Sequence, residues 1–196
     1  YFSMKTLTKK ILKFFAKLII NKYKPKVIGI TGSVGKTSAK EAVFCVLKST
    51  LAVRKSEKNY NNEIGVPLTI LGMKSPGKSI FGWVWVFIKA LWLCLFRNKK
   101  YPKILVLEMA ADKRGNLEYL TSIVRPNVSI ITAVAPVHLE FFGNLKDVAK
   151  EKSTLVKNFL PNGFAILNAD DEAVVPMNRL TDAQVIFYGF SEKADL

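Results

Sequence analysis

The chain has 196 residues, which is enough for one α/β domain with a buried core. Apolar residues make up 49% of it and charged residues 23%, which excludes a disordered chain, and its two cysteines lack the spacing of a disulfide scaffold or a structural zinc site. The formal net charge of +15 favours nucleic acid, an anionic membrane or phosphate-rich ligands as partners, but the excess lies in residues 1–100, which excludes a chain that is basic throughout.

Residues 1–26 are predicted to form a basic amphipathic N-terminal helix. Apolar side chains recur at mostly helical spacing from Leu7 to Ile19, lysines fill most of the gaps, and Pro25 ends the helix. Two interpretations are open. The helix lies on an anionic membrane surface, or it packs on its own domain with its lysines in solvent.

A strand, a tight loop and a helix follow. Residues 27–31 are a short apolar run typical of a buried parallel strand, and residues 37–49 have a helix-forming composition. Between them, the stretch from Thr31 to Thr37 (TGSVGKT) is a variant of the phosphate loop, in which glycines turn backbone N–H groups toward a phosphate. Lys36 is then placed to reach the β- and γ-phosphates, and Thr37 to bind Mg²⁺. The alternative is a glycine turn beside a chance lysine.

An apolar segment over residues 80–96 contains all three tryptophans and one charged residue, Lys89. Its 17 residues are marginal for a membrane span, which needs about 20. A buried or an interfacial helix is therefore predicted, and the aromatic content next to a charged margin fits the interfacial form.

Strands alternate with helices along the rest of the chain. Strands are predicted at 51–55, 104–108, 128–134, 164–168 and 185–190, and helices at 115–124 and 144–160. This alternation predicts an α/β fold, with a mostly parallel sheet and helices on both of its faces. We expect the domain to run over residues 27–196 with 80–96 as an insertion.

Polar residues follow several of these strands. Glu108 ends one strand, His138 follows the next, Lys152 lies on the helix after that, and Asn168 and Asp170 end a further strand. Because the carboxyl ends of parallel strands meet at one edge, these groups are candidates to bind a nucleotide and its Mg²⁺. Taken singly, each also has an ordinary interpretation: a solvated strand end or helix lysine, a structural histidine, or a turn.

Five segments, taken in order, resemble the ATP-binding central domain of the Mur ligase family. They are ITGSVGKTSAKE, KNYNNEIGVPLTIL, VLEMAADKRGNLEYLTSIVRP, APVHLEFFGNLKDVAKEKSTLV and AILNADDE, and they cover about residues 25–190. The stretch from Asn61 to Thr69 marks the branch that adds D-alanyl-D-alanine. The resemblance implies a phosphate-loop NTPase-like fold and an enzyme of peptidoglycan precursor synthesis, hence of cell-wall biogenesis, cell shape and cell division. In its reaction, ATP phosphorylates the carboxylate of a UDP-N-acetylmuramoyl tripeptide, and the amine of D-alanyl-D-alanine attacks the acyl phosphate.

The resemblance also implies roles for residues of this chain. Lys36 would bind the β- and γ-phosphates, Thr37 and Glu108 would bind one Mg²⁺, and Glu108 with His138 would help bind a second. Lys152 matches the family's carbamylated lysine, whose carboxylate-like oxygens can bind metal. Lys36, His138 and Lys152 are thus the catalytic candidates. The other residues implied in binding the nucleotide are Thr31, Gly32, Ser33, Val34, Gly35, Ser38, Asn62, Glu63, Asn168 and Asp170.

The chain departs from the family where the substrates bind. Only about 25 residues precede the first strand, where the family has a domain for the UDP sugar. The segment that contacts adenine and the C-terminal domain are expected beyond Leu196, so we expect this piece alone to be inactive.

The expected partners are the UDP-N-acetylmuramoyl peptide and D-alanyl-D-alanine, with no nucleic acid. The expected state is a cytoplasmic monomer, with peripheral contact to the anionic inner face of the membrane left open. Two alternatives remain. The chain is another phosphate-loop NTPase or kinase, or it is a basic membrane-associated nucleotide-binding module without ligase activity.

Overall fold

The computed structural model describes residues 4–57, 59–137, 139–160 and 162–196. The strands are Lys26–Thr31 (β1), Val53–Lys55 (β2), Ile104–Glu108 (β3), Val128–Ile131 (β4), Phe164–Asn168 (β5) and Gln184–Tyr188 (β6). The α-helices are Met4–Tyr23 (α1), Lys36–Leu47 (α2), Gly65–Leu71 (α3), Ile80–Leu95 (α4), Asn116–Thr121 (α5), Leu139–Phe142 (α6) and Leu145–Lys157 (α7). A 3₁₀ helix runs over Val175–Leu180.

The strands form one parallel sheet in the order β2-β3-β1-β4-β5-β6. β1 lies inside the sheet, where Ile30 pairs with Glu108 of β3 on one side and with Ile130 of β4 on the other. The carboxyl ends therefore meet at one edge, which is where open α/β sheets bind their ligands. The predicted mostly parallel sheet is confirmed.

Helices cover both faces of this sheet, as predicted. Strand side chains such as Leu105 and Leu107 point into a large core that they share with α1, α3, α4, α5 and α7. Ile30, Val106 and Ile130 point to the other face, where α2 packs on them. Because the strands bury apolar side chains on both faces, they are nearly continuous apolar runs in the sequence.

Helix α1 packs on the domain through one of its faces. Leu12, Ala16 and Ile19 are fully buried in the large core, next to side chains of α3 and α4. This face therefore supports the interpretation in which the helix packs on its own domain. Pro25 then separates the helix from β1.

Two differences from the predicted elements bear on the site. Residues 65–71, for which no element was predicted, form α3, and all of them are buried. A short run that is buried on every side has no helical period, so its pattern does not distinguish a helix from a strand. β4 ends at Ile131 rather than at Val134 because the next residues turn aside to bond the phosphate loop.

Helix α4 occupies most of the apolar segment. Ser79 caps it by accepting a hydrogen bond from a backbone N–H of the first turn. Val86 and Leu93 face the core, and Lys22 of α1 donates to three carbonyl oxygens at the C-terminal end of the helix. Within the described residues, no helix combines the length and hydropathy that crossing a membrane requires.

Candidate functional site

The phosphate-loop variant connects β1 to α2 at the carboxyl edge of the sheet. Gly35 precedes α2 with a φ of 82°, a left-handed conformation that glycine adopts freely. The turn aims the unpaired N–H groups and the positive dipole end of α2 at this edge. Gly32 has no room for a side chain, since a Cβ there would lie 1.9 Å from Thr132 Oγ1.

Residues that follow β4 hold the loop from the other side. Ser33 N donates to Ala133 O at 2.6 Å, and Thr132 Oγ1 donates to Val34 O at 2.6 Å. Ser33 Oγ donates to Ala135 O at 3.0 Å and accepts from Ala135 N at 2.9 Å. These bonds to the residues after β4 fix the shape of the loop.

Lys36 lies in the first turn of α2 and curls back over the loop. Its Nζ donates to Gly32 O at 2.8 Å and to Ser33 O at 2.9 Å. Burial lowers the pKa of this ammonium, and the carboxylates of Glu108 and Asp112 act in the opposite direction. A cation held by two neutral carbonyls is well placed to exchange them for phosphate oxygens.

Glu108 ends β3 and is 5% exposed, so its interpretation as a solvated strand end is wrong. Its Oε2 accepts hydrogen bonds from Thr37 Oγ1 at 3.1 Å and from Lys40 Nζ at 3.2 Å, and its Oε1 accepts one from Asn61 Nδ2 at 3.1 Å. Burial raises the pKa of this carboxyl, but the hydrogen bonds of Asn61, Lys40 and Thr37 and the Lys40 charge outweigh it and leave the pKa below its ordinary value. Glu108 is therefore an ionised carboxylate beside a hydroxyl.

The donors of this cluster fit Mg²⁺. Mg²⁺ binds oxygen and is commonly held by one or two protein groups together with phosphate and water oxygens. The Thr37 hydroxyl and the Glu108 carboxylate are adjacent groups of this kind. Across the described ranges, no three or more histidine, cysteine, aspartate or glutamate residues form a group that could hold a metal. His138, which was predicted to bind metal, lies outside the described residues.

The predicted Asn62–Glu63 segment lies at the start of α3. Asn62 Oδ1 accepts two backbone N–H groups there, at 3.1 and 3.0 Å. Glu63 accepts a hydrogen bond from Asn116 Nδ2 at 3.4 Å and lies 3.7 Å from Lys9 Nζ of α1. Both residues line a cavity of about 250 Å³ together with Asp112. The residue just before the segment bonds Glu108, so this cavity adjoins the Glu108 cluster.

Lys152 lies on α7 and is 1% exposed, so its interpretation as a solvated helix lysine is wrong. Burial and, to a lesser extent, the charge of Lys36 lower the pKa of its ammonium to about 8, against the opposing charges of Asp112 and Glu151. Lys152 is thus a buried amine under the electrostatic influence of the phosphate-loop lysine. At this pKa about a tenth of the amine is neutral at pH 7, and the neutral amine is the form that carbamylation requires.

Asn168 and Asp170 follow β5 at the same edge of the sheet. Asn168 Nδ2 donates to Thr132 O at 2.8 Å and so supports the residues that hold the phosphate loop. Asp170 accepts hydrogen bonds from Phe190 N at 2.9 Å and from Ser191 N at 2.8 Å, and these bonds lower its pKa. Asn168 therefore acts next to the loop, whereas Asp170 holds the chain after β6.

The remaining predicted residues lie in the loop or in the first turn of α2. Thr31 ends β1, and its Oγ1 is buried with no hydrogen-bond partner in the part of the chain that the structure describes. Val34 and Ser38 are exposed and border the site on its solvent side.

Three residues of the site were missed by the sequence reasoning: Lys40, Asn61 and Thr132. Lys40 lies three residues after Thr37, which puts both side chains on one face of the helix, and this spacing was a usable signal. Asn61 and Thr132 are connected to the site by long-range hydrogen bonds, for which no local pattern exists.

Comparison with known proteins identifies the family to which this chain belongs. A family model described as the Mur ligase middle domain matches residues 30–81 and 90–196. The UDP-N-acetylmuramoyl-tripeptide–D-alanyl-D-alanine ligase of Haemophilus influenzae is 33% identical over 159 residues, which cover 79% of this chain and 29% of the relative. The ligase of the same name from Mycobacterium leprae is 34% identical over 160 residues, which cover 82% and 26%.

A solved structure supports the same family assignment. The crystal structure of the MurF ligase from Thermotoga maritima in complex with ADP aligns with a TM-score of 0.73 at 30% identity, over 92% of this chain and 36% of that one. This chain thus spans about a quarter to a third of the curated relatives that it matches. The chain belongs to the Mur ligase family, and the part that matches is the family's middle domain.

Proposed function

We propose that this chain is the nucleotide-binding part of an ATP-dependent amide ligase of peptidoglycan precursor synthesis. The ligase joins D-alanyl-D-alanine to a UDP-N-acetylmuramoyl tripeptide, as the names of its relatives from H. influenzae and M. leprae say of those proteins. The observation that carries the proposal is the Thr37–Glu108 pair beside the phosphate loop, in a chain of this family.

ATP binds with its phosphates over the loop and the N-terminus of α2. Lys36 leaves its carbonyl partners for the β- and γ-phosphates, and Thr37 and Glu108 hold Mg²⁺. When bound, Mg²⁺ supplies positive charge that stabilises the transferring phosphoryl group. The remaining loop residues that complete the nucleotide site are Thr31, Gly32, Ser33, Val34, Gly35 and Ser38.

The reaction has two steps. A carboxylate oxygen of the tripeptide attacks the γ-phosphorus, the bond from that phosphorus to the β-phosphate oxygen breaks, and ADP leaves. The amine of D-alanyl-D-alanine then attacks the acyl carbon, loses a proton and expels phosphate as the amide forms. Lys36 contributes by neutralising charge on the transferring group, and the partial burial of its ammonium strengthens this effect.

Lys152 serves this site in a carbamylated form. The neutral form of this buried amine adds CO₂ at its nitrogen and releases one proton to solvent, which gives a carbamate with carboxylate-like oxygens. With Glu108 and His138, it would help to hold a second Mg²⁺. Asn62 and Glu63 lie toward the acyl phosphate, and Asn168 and Asp170 support the nucleotide site.

We further propose a division of the chain and a location for the enzyme. Residues 1–26 form the basic helix, residues 27–196 belong to the ATP-binding domain, and residues 80–96 are an insertion in it. UDP-sugar and amine recognition depend on parts of the ligase outside this chain, so the chain alone is inactive. The ligase works as a monomer in the cytoplasm, at the inner face of the membrane.

Substrate-dependent phosphate release tests the proposed reaction. The full-length protein with Mg-ATP should release phosphate and form the amide only when the UDP-N-acetylmuramoyl tripeptide and D-alanyl-D-alanine are both present. Mass spectrometry of the product identifies the amide. Rapid ATP hydrolysis with neither substrate, and no amide with both, would assign the chain to another class of phosphate-loop NTPase.

A further inference from the structure

Helices α1 and α4 carry an apolar surface that the described fold leaves exposed. We call it the α1–α4 face, and its members on the two helices and at the C-terminal end of α4 are Leu7, Phe14, Leu18, Ile80, Phe81, Val84, Trp85, Ile88, Leu91, Trp92, Leu95 and Phe96. The exposed fraction reaches 89% at Phe81 and 61% at Trp85. Single exposed apolar residues are ordinary, but a contiguous patch of this kind marks an interaction surface.

The two helices lie side by side and run in the same direction. The Phe15 ring of α1 stacks on Phe87 of α4 with 6.5 Å between centroids. Eight residues further along α1, Tyr23 Oη donates to Phe96 O at 3.0 Å. Helical periodicity puts the exposed apolar side chains of each helix opposite those that face the core. The exposed stripes therefore form one outward surface.

The sequence around this surface is basic and carries no acidic residue. Residues 4–26 and 78–103 contain fourteen lysine and arginine residues and no aspartate or glutamate. Exposed cations stand at both ends of α4, with Lys78 before it and Arg97, Lys99 and Lys100 after it. Tryptophan and aliphatic side chains can contact the acyl chains of a bilayer, and the cations that border them can contact anionic headgroups.

We propose that the α1–α4 face docks on an anionic lipid bilayer, with α4 lying in the plane of the interface. α4 has 16 residues, or about 24 Å, whereas the hydrocarbon core of a bilayer is about 30 Å thick. The opposite side of α4 packs on the core through Val86 and Leu93, so the helix enters the interface with the domain attached.

The family's sequence model matches only part of this surface. The match to the middle domain leaves out residues 1–29 and 82–89, which include all of α1 and half of α4. The proposal deepens the membrane location in the proposed function, and it is independent of the ligase reaction.

Tryptophan fluorescence tests the docking. All three tryptophans of this chain lie on α4, so the intrinsic emission of the chain reports on this helix. We expect a blue shift with phosphatidylglycerol vesicles and quenching by lipids brominated on their acyl chains. Vesicles of phosphatidylcholine alone should give a much smaller shift, and added salt should weaken binding because it screens the cations.

Matched variants assign the binding to this face. Trp85→Gln with Trp92→Gln changes two exposed side chains and should lower vesicle affinity, measured by co-sedimentation, about tenfold or more. Lys99→Gln with Lys100→Gln should lower it about fivefold per charge. Phe190→Gln, which changes an exposed aromatic beyond β6, should leave it unchanged. Thermal unfolding checks that every variant is folded.

Several results would overturn the proposal. One is that the protein does not co-sediment with phosphatidylglycerol vesicles. Another is that the tryptophan variant binds these vesicles as tightly as the wild type. If the protein forms a concentration-dependent dimer that shields the tryptophans without lipid, the face binds a second copy. If the tryptophans are shielded in the lipid-free monomer, another part of the same protein covers the face. Mg-ATP binding in the same samples is a separate readout, so a failure of docking is distinguishable from a failure of the ligase proposal.

Discussion

Lys40 is a cation buried beside the carboxylate of the candidate site. It lies one turn beyond the phosphate-loop lysine, is 1% exposed, and places Nζ 3.2 Å from Glu108 Oε2. When two opposite charges are buried together, each compensates the other for its lost hydration. If one is removed, the other stays buried without a partner, which destabilises the fold. Lys40 and Glu108 therefore depend on each other.

Replacing Lys40 by Met is expected to lower the free energy of unfolding by about 3 kcal/mol, because the Glu108 carboxylate is then buried without its cation. Urea denaturation of Lys40→Met, Glu108→Gln and the double variant measures this coupling. The double variant should recover part of the loss because it removes both charges. Strict additivity of the two single changes would contradict a direct pairing, and Lys48→Met at the far end of α2 is the control.

Lys152 gives a prediction that depends on pH. Its pKa of about 8 lies below the ordinary value of 10.5. The unfolded chain therefore binds more protons between these pH values, so the stability of the folded protein rises with pH across this window.

In bicarbonate-free buffer at pH 7, Lys152→Met should be more stable than the wild type by about 3 kcal/mol, since it buries no ammonium. The difference should disappear as the pH approaches 10.5. Thermal unfolding across this range measures it, and Lys157→Met on the same helix should show no such trend. A difference that does not change with pH would argue against the lowered pKa of Lys152.

At the scale of elements, α1 and α4 stabilise each other through polar contacts as well as packing. Lys22 Nζ donates to the carbonyl oxygens of Leu93, Cys94 and Phe96, at 2.8–3.0 Å. The last carbonyl groups of a helix have no partner within it, and a cation is favourable at this negative dipole end. Lys22 is therefore the C-terminal cap of a helix on which it does not lie.

Removing this cap should loosen both helices. Lys22→Met is expected to lower the free energy of unfolding by about 1 kcal/mol, since partly buried carbonyl groups lose a charged donor. Hydrogen exchange should quicken in the last turn of α4, where the backbone N–H of Phe96 is bonded to Trp92 O. Lys24→Met, on an exposed neighbour, should change neither quantity, and equal effects of the two variants would contradict the capping role.

The sequence predicts the elements better than it predicts the contacts between them. β3 and β5 agree with their predicted bounds because apolar runs between turns are local signals. The phosphate loop and Glu108 were likewise found because strand, loop and helix follow one another directly. Thr132 is a hundred residues away from the glycine it contacts, and only the assembled sheet brings them together.

At the scale of the whole molecule, the strand order builds the site. Alternating strands and helices predict parallel strands with right-handed connections, but they leave the order of the strands open. The observed order puts β1 between β3 and β4. The loop after β1 is therefore flanked by Glu108 on one side and by the residues after β4 on the other.

Nucleotide binding should stabilise this assembly as a unit. A ligand at a hundred times its dissociation constant raises the free energy of unfolding by about 2.7 kcal/mol. Mg-ATP should therefore raise the melting temperature of the wild type and of Lys48→Ala, and should leave that of Lys36→Ala unchanged. A normal shift in Lys36→Ala would show that the phosphate loop is not the nucleotide site.

The hydrogen bonds of Thr132 connect the phosphate loop to the far edge of the sheet. Its Oγ1 donates to Val34 O, and its carbonyl oxygen accepts from Asn168 Nδ2 and Tyr188 Oη. These hydrogen bonds thus connect the loop to β6 through Thr132. If a nucleotide draws Val34 away, Thr132 loses one of its hydrogen bonds, and hydrogen exchange of the β6 amides measures whether that change reaches the third strand from the loop.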